Sequence, residues 1–229
     1  VAKRVLVWWI DPRRDLRKGD QLDLVWSPRE DEEPVVWAVW FESEKLGAER
    51  VAVLHHADGA PFPRWVDADG REVPLRLRGS PVATYEQITS LVNDGRGHQG
   101  VDFKAPEGTP VVAPFAGKIT RVNWSTRSNG RCIELRDPKT GRDAYFLHLS
   151  GIADGIRPGA RVKRGQRLGA VGNTGHSFAP HLHYQLEKND RVLDPFRVHD
   201  TWRADLPAEE RRAARARLQQ LQSLRTEAG

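Results

Sequence analysis

Short runs of alternating apolar and polar residues recur along most of the chain and predict a mainly β protein. Gly, Pro, Asn and Asp separate these runs, which is typical of strands joined by turns. Strands and helices do not alternate regularly along the chain, so a parallel sheet is not predicted. In the first 80 residues the predicted strands are Val5–Ile10, Gln21–Trp26, Val35–Glu42, Val51–His56 and Pro63–Val66.

A second series of predicted strands comes after a connector at residues 80–97. These strands are also short, and turns such as Pro158-Gly159 and Gly172-Asn173 separate them. We expect them to form a second, larger β domain. They are Val111–Ala113, Gly117–Trp124, Arg131–Arg136, Ala144–Leu149, Gln166–Val171 and His183–Glu187.

The last part of the chain has a different pattern. Ala214, Leu218 and Leu221 fall on one face of a helix that begins near Pro207, where two acidic residues suit the positive end of the helix dipole. The chain is therefore predicted to contain a small β-rich domain rich in tryptophan (residues 1–80), a β domain (81–200) and an amphipathic C-terminal helix (201–229).

Composition narrows the functional classes. The 229 residues are 38% hydrophobic and 29% charged, with a net charge of +5, which is typical of a globular protein. No apolar stretch approaches the roughly 18 residues that predict a transmembrane helix. The sequence contains no nucleic-acid-binding motif, and its one cysteine, Cys132, excludes an intrachain disulfide. A modest basic excess is compatible with an anionic polymer as partner.

Candidate chemistry lies in the second β domain. His181 and His183 are two apart on a predicted strand, so their imidazoles face the same way. His98 and Asp102 form another close pair, and Asp102 lies between apolar neighbours, where a carboxylate needs a cation or another partner. Together with His148 on a third strand, these residues predict a metal site. Spacing alone does not decide whether His181 or His183 is a ligand.

Two histidines and a carboxylate leave coordination positions open for a reaction. Catalytic zinc sites and non-heme iron oxygenases both use such a set. The iron alternative fits less well, because the first two ligands of iron oxygenases are typically spaced His-x-Asp, whereas here the spacing is His-x-x-x-Asp. Iron ligation would also leave two histidines without a role. Hydrolysis would use them for proton transfer and charge stabilisation.

Five motifs occur in unbroken order between residues 85 and 196: Gly97–Phe103, Gly108–Val111, Phe146–Ser150, Gly172–Gly175 and Pro180–His183. With these motifs, this part of the chain resembles the lysostaphin/LytM-type zinc endopeptidases. The tryptophan-rich first domain more weakly resembles the domain that precedes the peptidase in Gram-negative members.

This resemblance implies a mostly antiparallel β fold with a groove. It implies Zn2+ held by His98, Asp102 and His183, with His148 and His181 as the catalytic pair. The implied reaction is attack of a zinc-activated water on a peptide carbonyl of peptidoglycan, in the periplasm or outside the cell. We expect D-Ala–diaminopimelate bonds as substrate, with glycine bridges as the alternative, and treat the protein as a monomer.

Two departures from the family pattern affect the expected site. Phe146 occupies a position where many members have tyrosine, and strand alternation predicts that the neighbouring Tyr145 points away from His148. The segment His176–Ala179 replaces a small, glycine-containing run, so Phe178 is expected to narrow the groove. A further alternative is a non-catalytic regulator of other wall hydrolases, although such proteins usually lack the zinc ligands.

Overall fold

The structure is a computed structural model and describes residues 2–30, 33–95 and 97–227. Positions 1, 31, 32, 96, 228 and 229 lie outside the described residues. Position 96 belongs to the predicted connector, and 228 and 229 belong to the predicted C-terminal segment. The described chain consists mainly of antiparallel strands with a long helix near its end, which confirms the predicted fold class.

The secondary structure elements are numbered along the chain. The helices are α1 (Lys3–Leu6), α2 (Thr126–Asn129), α3 (Pro195–Val198) and α4 (Ala208–Glu227), with a 3-10 turn at Glu44–Leu46. The strands are β1 (Gln21–Ser27), β2 (Val35–Glu42), β3 (Arg50–His55), β4 (Arg64–Val66), β5 (Arg76–Leu77), β6 (Gln87–Ser90), β7 (Val101–Lys104), β8 (Pro110–Val112), β9 (Gly117–Val122), β10 (Arg131–Asp137), β11 (Arg142–Leu149), β12 (Gly151–Ile152), β13 (Arg161–Val162), β14 (Arg167–Ala170), β15 (His181–Lys188), β16 (Arg191–Leu193) and β17 (Thr201–Trp202).

The chain divides into two compact units, Val1–Arg76 with Trp202–Gly229, and Leu77–Thr201. In the first unit, β1 to β4 form an antiparallel sheet in sequence order. Helix α4 packs the face predicted for it into this unit, because Ala214 and Leu221 are buried in a cluster with residues of β2 and β3. None of the helices in the described ranges is long and apolar enough to cross a membrane.

The prediction of a strand at Val5–Ile10 is wrong. The chain there forms the short helix α1 and a following turn, in which the amide of Ile10 donates to the carbonyl of Leu6 at 2.9 Å. Val5, Leu6 and Ile10 are buried. A short apolar run of this kind does not separate a buried strand from a buried helical turn by periodicity.

The second unit is built on a large antiparallel sheet with the order β13-β9-β10-β11-β15-β7-β6, and β16 also pairs with β15. A smaller sheet contains β12, β14 and β8. One face of the central strands carries the apolar core, with Phe103, Phe146, Leu182, Tyr184 and Leu186 fully buried. The opposite face of β7, β11 and β15 is the more polar one and holds the candidate site.

Candidate metal centre

Two neighbouring antiparallel strands bring Asp102 and His183 side by side. In the pairing of β7 with β15, Asp102 is opposite His183 and Lys104 is opposite His181. Directly paired residues project from the same face of a sheet, and alternation along β15 puts His181 on that face too. Asp102 Oδ1 lies 2.9 Å from His183 Nδ1 and 3.9 Å from His181 Nε2. The two histidines therefore share a face, as their spacing predicts.

His98 reaches the same point from the loop before β7. Its Nε2 lies 3.1 Å from Asp102 Oδ1 and 3.0 Å from His183 Nδ1. Gly100 allows this approach, because a Cβ at that position would lie 2.6 Å from His183 Nε2 and 2.7 Å from the carbonyl oxygen of Tyr184. The loop can pass this close to β15 only with glycine at position 100.

A β-bulge in β11 turns His148 toward the other histidines. The register between β10 and β11 shifts there, so that Leu147 and His148 together face a single residue of β10. His148 has a φ of 64°, a left-handed conformation that residues other than glycine seldom adopt. Bulges re-aim side chains in this way. The ring of His148 lies 4.8 Å from that of His181, measured between centroids.

The same bulge changes the position of His148 relative to Tyr145. Tyr145 pairs with Gln185, and Leu147 pairs with His183, so Tyr145 shares the site face of the sheet. The prediction that Tyr145 points away from His148 is wrong, because the bulge moves His148 onto that face. Phe146 lies on the opposite face, fully buried. The phenol of Tyr145 donates to Glu187 Oε2 at 3.0 Å.

All four site histidines donate one ring N–H to an oxygen outside the centre. A carbonyl or amide oxygen accepts but does not donate, so the proton of each neutral ring lies on its outward nitrogen and the inward nitrogen keeps its lone pair. His98, His148 and His181 donate through Nδ1 to the carbonyl oxygens of Leu91, Thr174 and Ala179, at 3.1, 2.9 and 2.8 Å respectively. His183 donates through Nε2 to Oε1 of Gln185 at 3.2 Å.

The loop between β14 and β15 supplies two of these acceptors and is itself anchored. Thr174 Oγ1 donates to the carbonyl of Leu149 at 2.8 Å and accepts from the amide of Arg131 at 2.9 Å. Farther along the loop, Phe178 is 92% exposed and its ring meets the edge of His176. The expectation that Phe178 narrows the groove stays a prediction.

His98, Asp102 and His183 offer ligand atoms that all lie within 4.8 Å of one another. Zinc–nitrogen and zinc–oxygen bonds of about 2.0–2.1 Å imply ligand atoms roughly 3.3 Å apart in a tetrahedron. The three separations here, 2.9, 3.0 and 3.1 Å, are close to that value. Two nitrogen lone pairs facing a carboxylate oxygen repel one another unless a proton or a cation lies between them. The residues present therefore fit a metal ion of zinc's size and ligand preference.

The protonation of these groups is set by burial and by their neighbours. Burial favours the neutral form of Asp102, but the His183 and His98 rings, which donate to its carboxylate when they are fully protonated, outweigh it and hold the pKa of Asp102 well below its usual range. Burial lowers the pKa of His98, but the adjacent Asp102 carboxylate raises it by more. For His148, burial dominates and lowers its pKa to about 4, so this imidazole is neutral at pH 7.

The structure brings all five residues singled out in the sequence, His98, Asp102, His148, His181 and His183, to one region of the sheet. It adds three supporting residues that the sequence reasoning missed. Gly100 gives space, Thr174 accepts from His148, and Gln185 accepts from His183. Gln185 had a usable signal, because a polar residue two positions after a strand histidine projects from the same face.

Comparison with known proteins gives a family match over the same residues. The model of "Peptidase family M23" matches residues 96–195. An "Uncharacterized metalloprotease" of Haemophilus influenzae is 40% identical over 204 residues, which is 84% of this chain and 41% of that protein. "Peptidoglycan DD-endopeptidase ShyC" of Vibrio cholerae is 30% identical over 206 residues, 82% of this chain and 45% of that protein.

A shorter match covers less than half of the chain. "Glycyl-glycine endopeptidase ALE-1" of Staphylococcus capitis is 41% identical over 96 residues, which is 42% of this chain and 26% of that protein. The chain thus spans less than half the length of each of these three curated relatives. The family match lies over the strands that carry the histidine and aspartate cluster, so residues 96–195 of this chain form a domain of peptidase family M23.

Proposed function

We propose that this chain is a zinc-dependent endopeptidase that hydrolyses peptide cross-links of bacterial peptidoglycan. The observation that carries the proposal is the arrangement of three ligand atoms 2.9–3.1 Å apart with two further imidazoles beside them. Three protein ligands with further positions open are typical of catalytic zinc sites.

His98, Asp102 and His183 are the proposed ligands. Of the two strand histidines, His183 is favoured, because its Nδ1 lies closer to Asp102 Oδ1 than His181 Nε2 does (2.9 against 3.9 Å). Zinc is favoured over iron, since hydrolysis gives His148 and His181 a role that iron ligation would not. A bound zinc ion supplies Lewis acidity that makes water nucleophilic near pH 7 and polarises a peptide carbonyl.

His181 and His148 are the proposed catalytic pair. The Nδ1–H of His181 is held by the carbonyl of Ala179, so its Nε2 lone pair faces the centre and can take a proton from the attacking water. His148 is fixed in the same way by Thr174. Whichever imidazole has taken the proton of the water returns it to the leaving amine. His148 can donate to the oxygen that gains negative charge only while it carries that proton.

Relatives suggest which bond is cut. The match to the DD-endopeptidase runs over 82% of this chain, whereas the match to the glycyl-glycine endopeptidase covers 42%. The longer match favours D-Ala–diaminopimelate cross-links. The higher identity of the shorter match, 41% against 30%, makes glycine bridges the second candidate. Either substrate puts the protein in the periplasm or outside the cell.

The test is digestion of purified diaminopimelate-type peptidoglycan and, in parallel, of glycine-bridged wall, with mass analysis of the muropeptides. We expect loss of cross-linked dimers from the first substrate, inhibition by a zinc chelator, and recovery when zinc is added back. Cleavage of only the glycine-bridged wall would show that glycine bridges, and not D-Ala–diaminopimelate bonds, are the substrate. Intact dimers in both walls with zinc-loaded protein would contradict the enzyme and favour a regulatory role.

A further inference from the structure

A chain of polar side chains leads away from His183 along the site face of β11 and β15. His183 Nε2 lies 3.2 Å from Gln185 Oε1, Gln185 Nε2 donates to Glu187 Oε1 at 2.6 Å, and the phenol of Tyr145 donates to Glu187 Oε2 at 3.0 Å. Gln185 is buried, so its amide cannot exchange these partners for bulk water. We call these three residues, Tyr145, Gln185 and Glu187, the Glu187 relay.

The direction of each hydrogen bond in the Glu187 relay is fixed by chemistry. A carboxylate only accepts, so the NH2 group of Gln185 must face Glu187. The amide oxygen of Gln185 must then face His183 and can only accept from its Nε2. The proton of neutral His183 is therefore on Nε2, and Nδ1, the atom beside Asp102, is left with its lone pair.

Tyr145 holds the far end of the relay. Burial, and secondarily the Glu187 carboxylate, raise the pKa of Tyr145, so it stays a phenol and a donor. The ring of Trp124 packs against it with centroids 6.0 Å apart. Tyr145 thus satisfies the second oxygen of Glu187 and leaves the first for Gln185.

We propose that Glu187 and Gln185 are positioning residues that set the tautomer of His183 and thereby the affinity of the centre for zinc. This role rests on the proposed function of His183 as a ligand. Groups that bond the outer nitrogen of a ligating histidine typically change metal affinity by about 10- to 100-fold. In this chain the charged group, the Glu187 carboxylate, does not bond His183 directly and acts on it through the amide of Gln185.

The experiment measures the zinc dissociation constant of the full chain by competition with a chromophoric chelator. Gln185→Leu should weaken zinc binding by about 10- to 100-fold, and Glu187→Gln by about tenfold, because the amide of Gln185 is then free to turn its NH2 group to His183. The matched control is Glu134→Gln. Glu134 is opposite Tyr145 on the same face, and its carboxylate pairs with Arg121, which also contacts Tyr145. This change therefore removes the same charge close to the relay but keeps the Glu187 carboxylate that bonds Gln185 and Tyr145.

An exchange variant separates the relay from a simple charge or folding effect. In the double variant Q185E/E187Q, the new carboxylate accepts from His183, and the new amide donates to that carboxylate while accepting from Tyr145. We expect its zinc affinity to return to within about threefold of the original chain. The thermal unfolding midpoint of each zinc-free variant is measured as well. If the two residues had a merely structural role, this midpoint would change, and the double variant would not restore zinc affinity.

The outcomes are distinct. Equal zinc affinity of Glu187→Gln, Glu134→Gln and the unchanged chain would overturn the relay, as would failure of the exchange variant to recover. If the unchanged chain itself binds zinc no better than a His98→Ala, His183→Ala double variant, the proposed metal site fails, and the relay fails with it.

Discussion

The inward nitrogens of His148 and His181 have different neighbours from those of the proposed ligands His98 and His183. Those of His98 and His183 lie 3.1 and 2.9 Å from the Asp102 carboxylate. That of His181 is 3.9 Å away, and the ring of His148 packs on His181 instead. In the proposed assignment, small differences in distance within one cluster separate proton transfer from metal binding.

Replacement of either proposed catalytic histidine tests this separation. His148→Ala and His181→Ala should each lower the rate of cross-link cleavage by about 100-fold or more, since positioned proton transfer contributes about 10²–10⁴-fold. Zinc content should stay at the level of the unchanged chain. Rates are measured by release of muropeptide monomers, and undiminished cleavage in both variants would contradict the assigned roles.

Gly100 provides a second test at the residue scale. Gly100→Ala would put a methyl group 2.6 Å from His183 Nε2, so β15 or the His98 loop must shift. We expect zinc affinity to fall by about tenfold or more, in the range seen when the surroundings of a ligand are disturbed. Gly151→Ala is the control, because nothing lies within 4 Å of the added Cβ and the backbone there has no positive φ. Similar zinc affinity in the two variants would argue against the spatial role of Gly100.

Strand alternation predicts some of the site residues and not others. The His-x-His spacing predicts two imidazoles on one face, because strand period decides it. The position of His148 could not be predicted in this way, since a one-residue bulge reverses the face of every residue after it. The relay was missed for a different reason. The spacing of Gln185 from His183 gave a signal, but the role of Glu187 depends on its hydrogen bond to Tyr145 on the neighbouring strand β11, which the sequence does not show.

At the scale of elements, α4 shows how an apolar stripe secures a helix. Leu221 is 1% exposed within the cluster of the first unit, whereas Leu224, three residues later, is 49% exposed. Leu221→Ala should lower the free energy of unfolding of this unit by about 2–5 kcal/mol, the usual cost of such a cavity. Leu224→Ala should change it by less than about 0.5 kcal/mol. Denaturant titration measures both, and equal effects would contradict the packing of α4.

Element type was predicted well where the pattern was long or alternating. β2 and β15 span eight residues each, and α4 carries its apolar positions at helical spacing. The run Val5–Ile10 failed because six apolar residues fit either a strand or a helical turn, and only the core around them decides.

At the scale of the whole molecule, stability should depend on pH through a pair in the second unit, the buried Tyr184 and the half-buried His199. Tyr184 donates its hydroxyl to His199 Nε2 at 2.8 Å, which requires a neutral imidazole. Burial, with nearby Arg142 and Arg164, lowers the pKa of His199 to about 4 from an ordinary 6.5. Between those values the unfolded chain binds more protons than the folded one, so stability rises with pH across this window and is lost as pH falls.

The change His199→Gln checks this linkage. In the original chain, acidification from pH 7 to pH 5 should cost about 1–2 kcal/mol through this histidine. The variant should be less stable at pH 7 but lose less on acidification. Thermal unfolding of both proteins at the two pH values measures the difference, and parallel losses would show that His199 does not cause the pH dependence.

The most direct measurement of the central claim is the zinc content of purified chains by elemental analysis, comparing the unchanged protein with His181→Ala and His183→Ala. We expect about one zinc ion per chain in the unchanged protein and in His181→Ala, and loss of zinc in His183→Ala. Zinc retained in His183→Ala but lost in His181→Ala would reverse the roles of the two strand histidines. No zinc in any of the three, after incubation with the metal, would contradict the proposed centre.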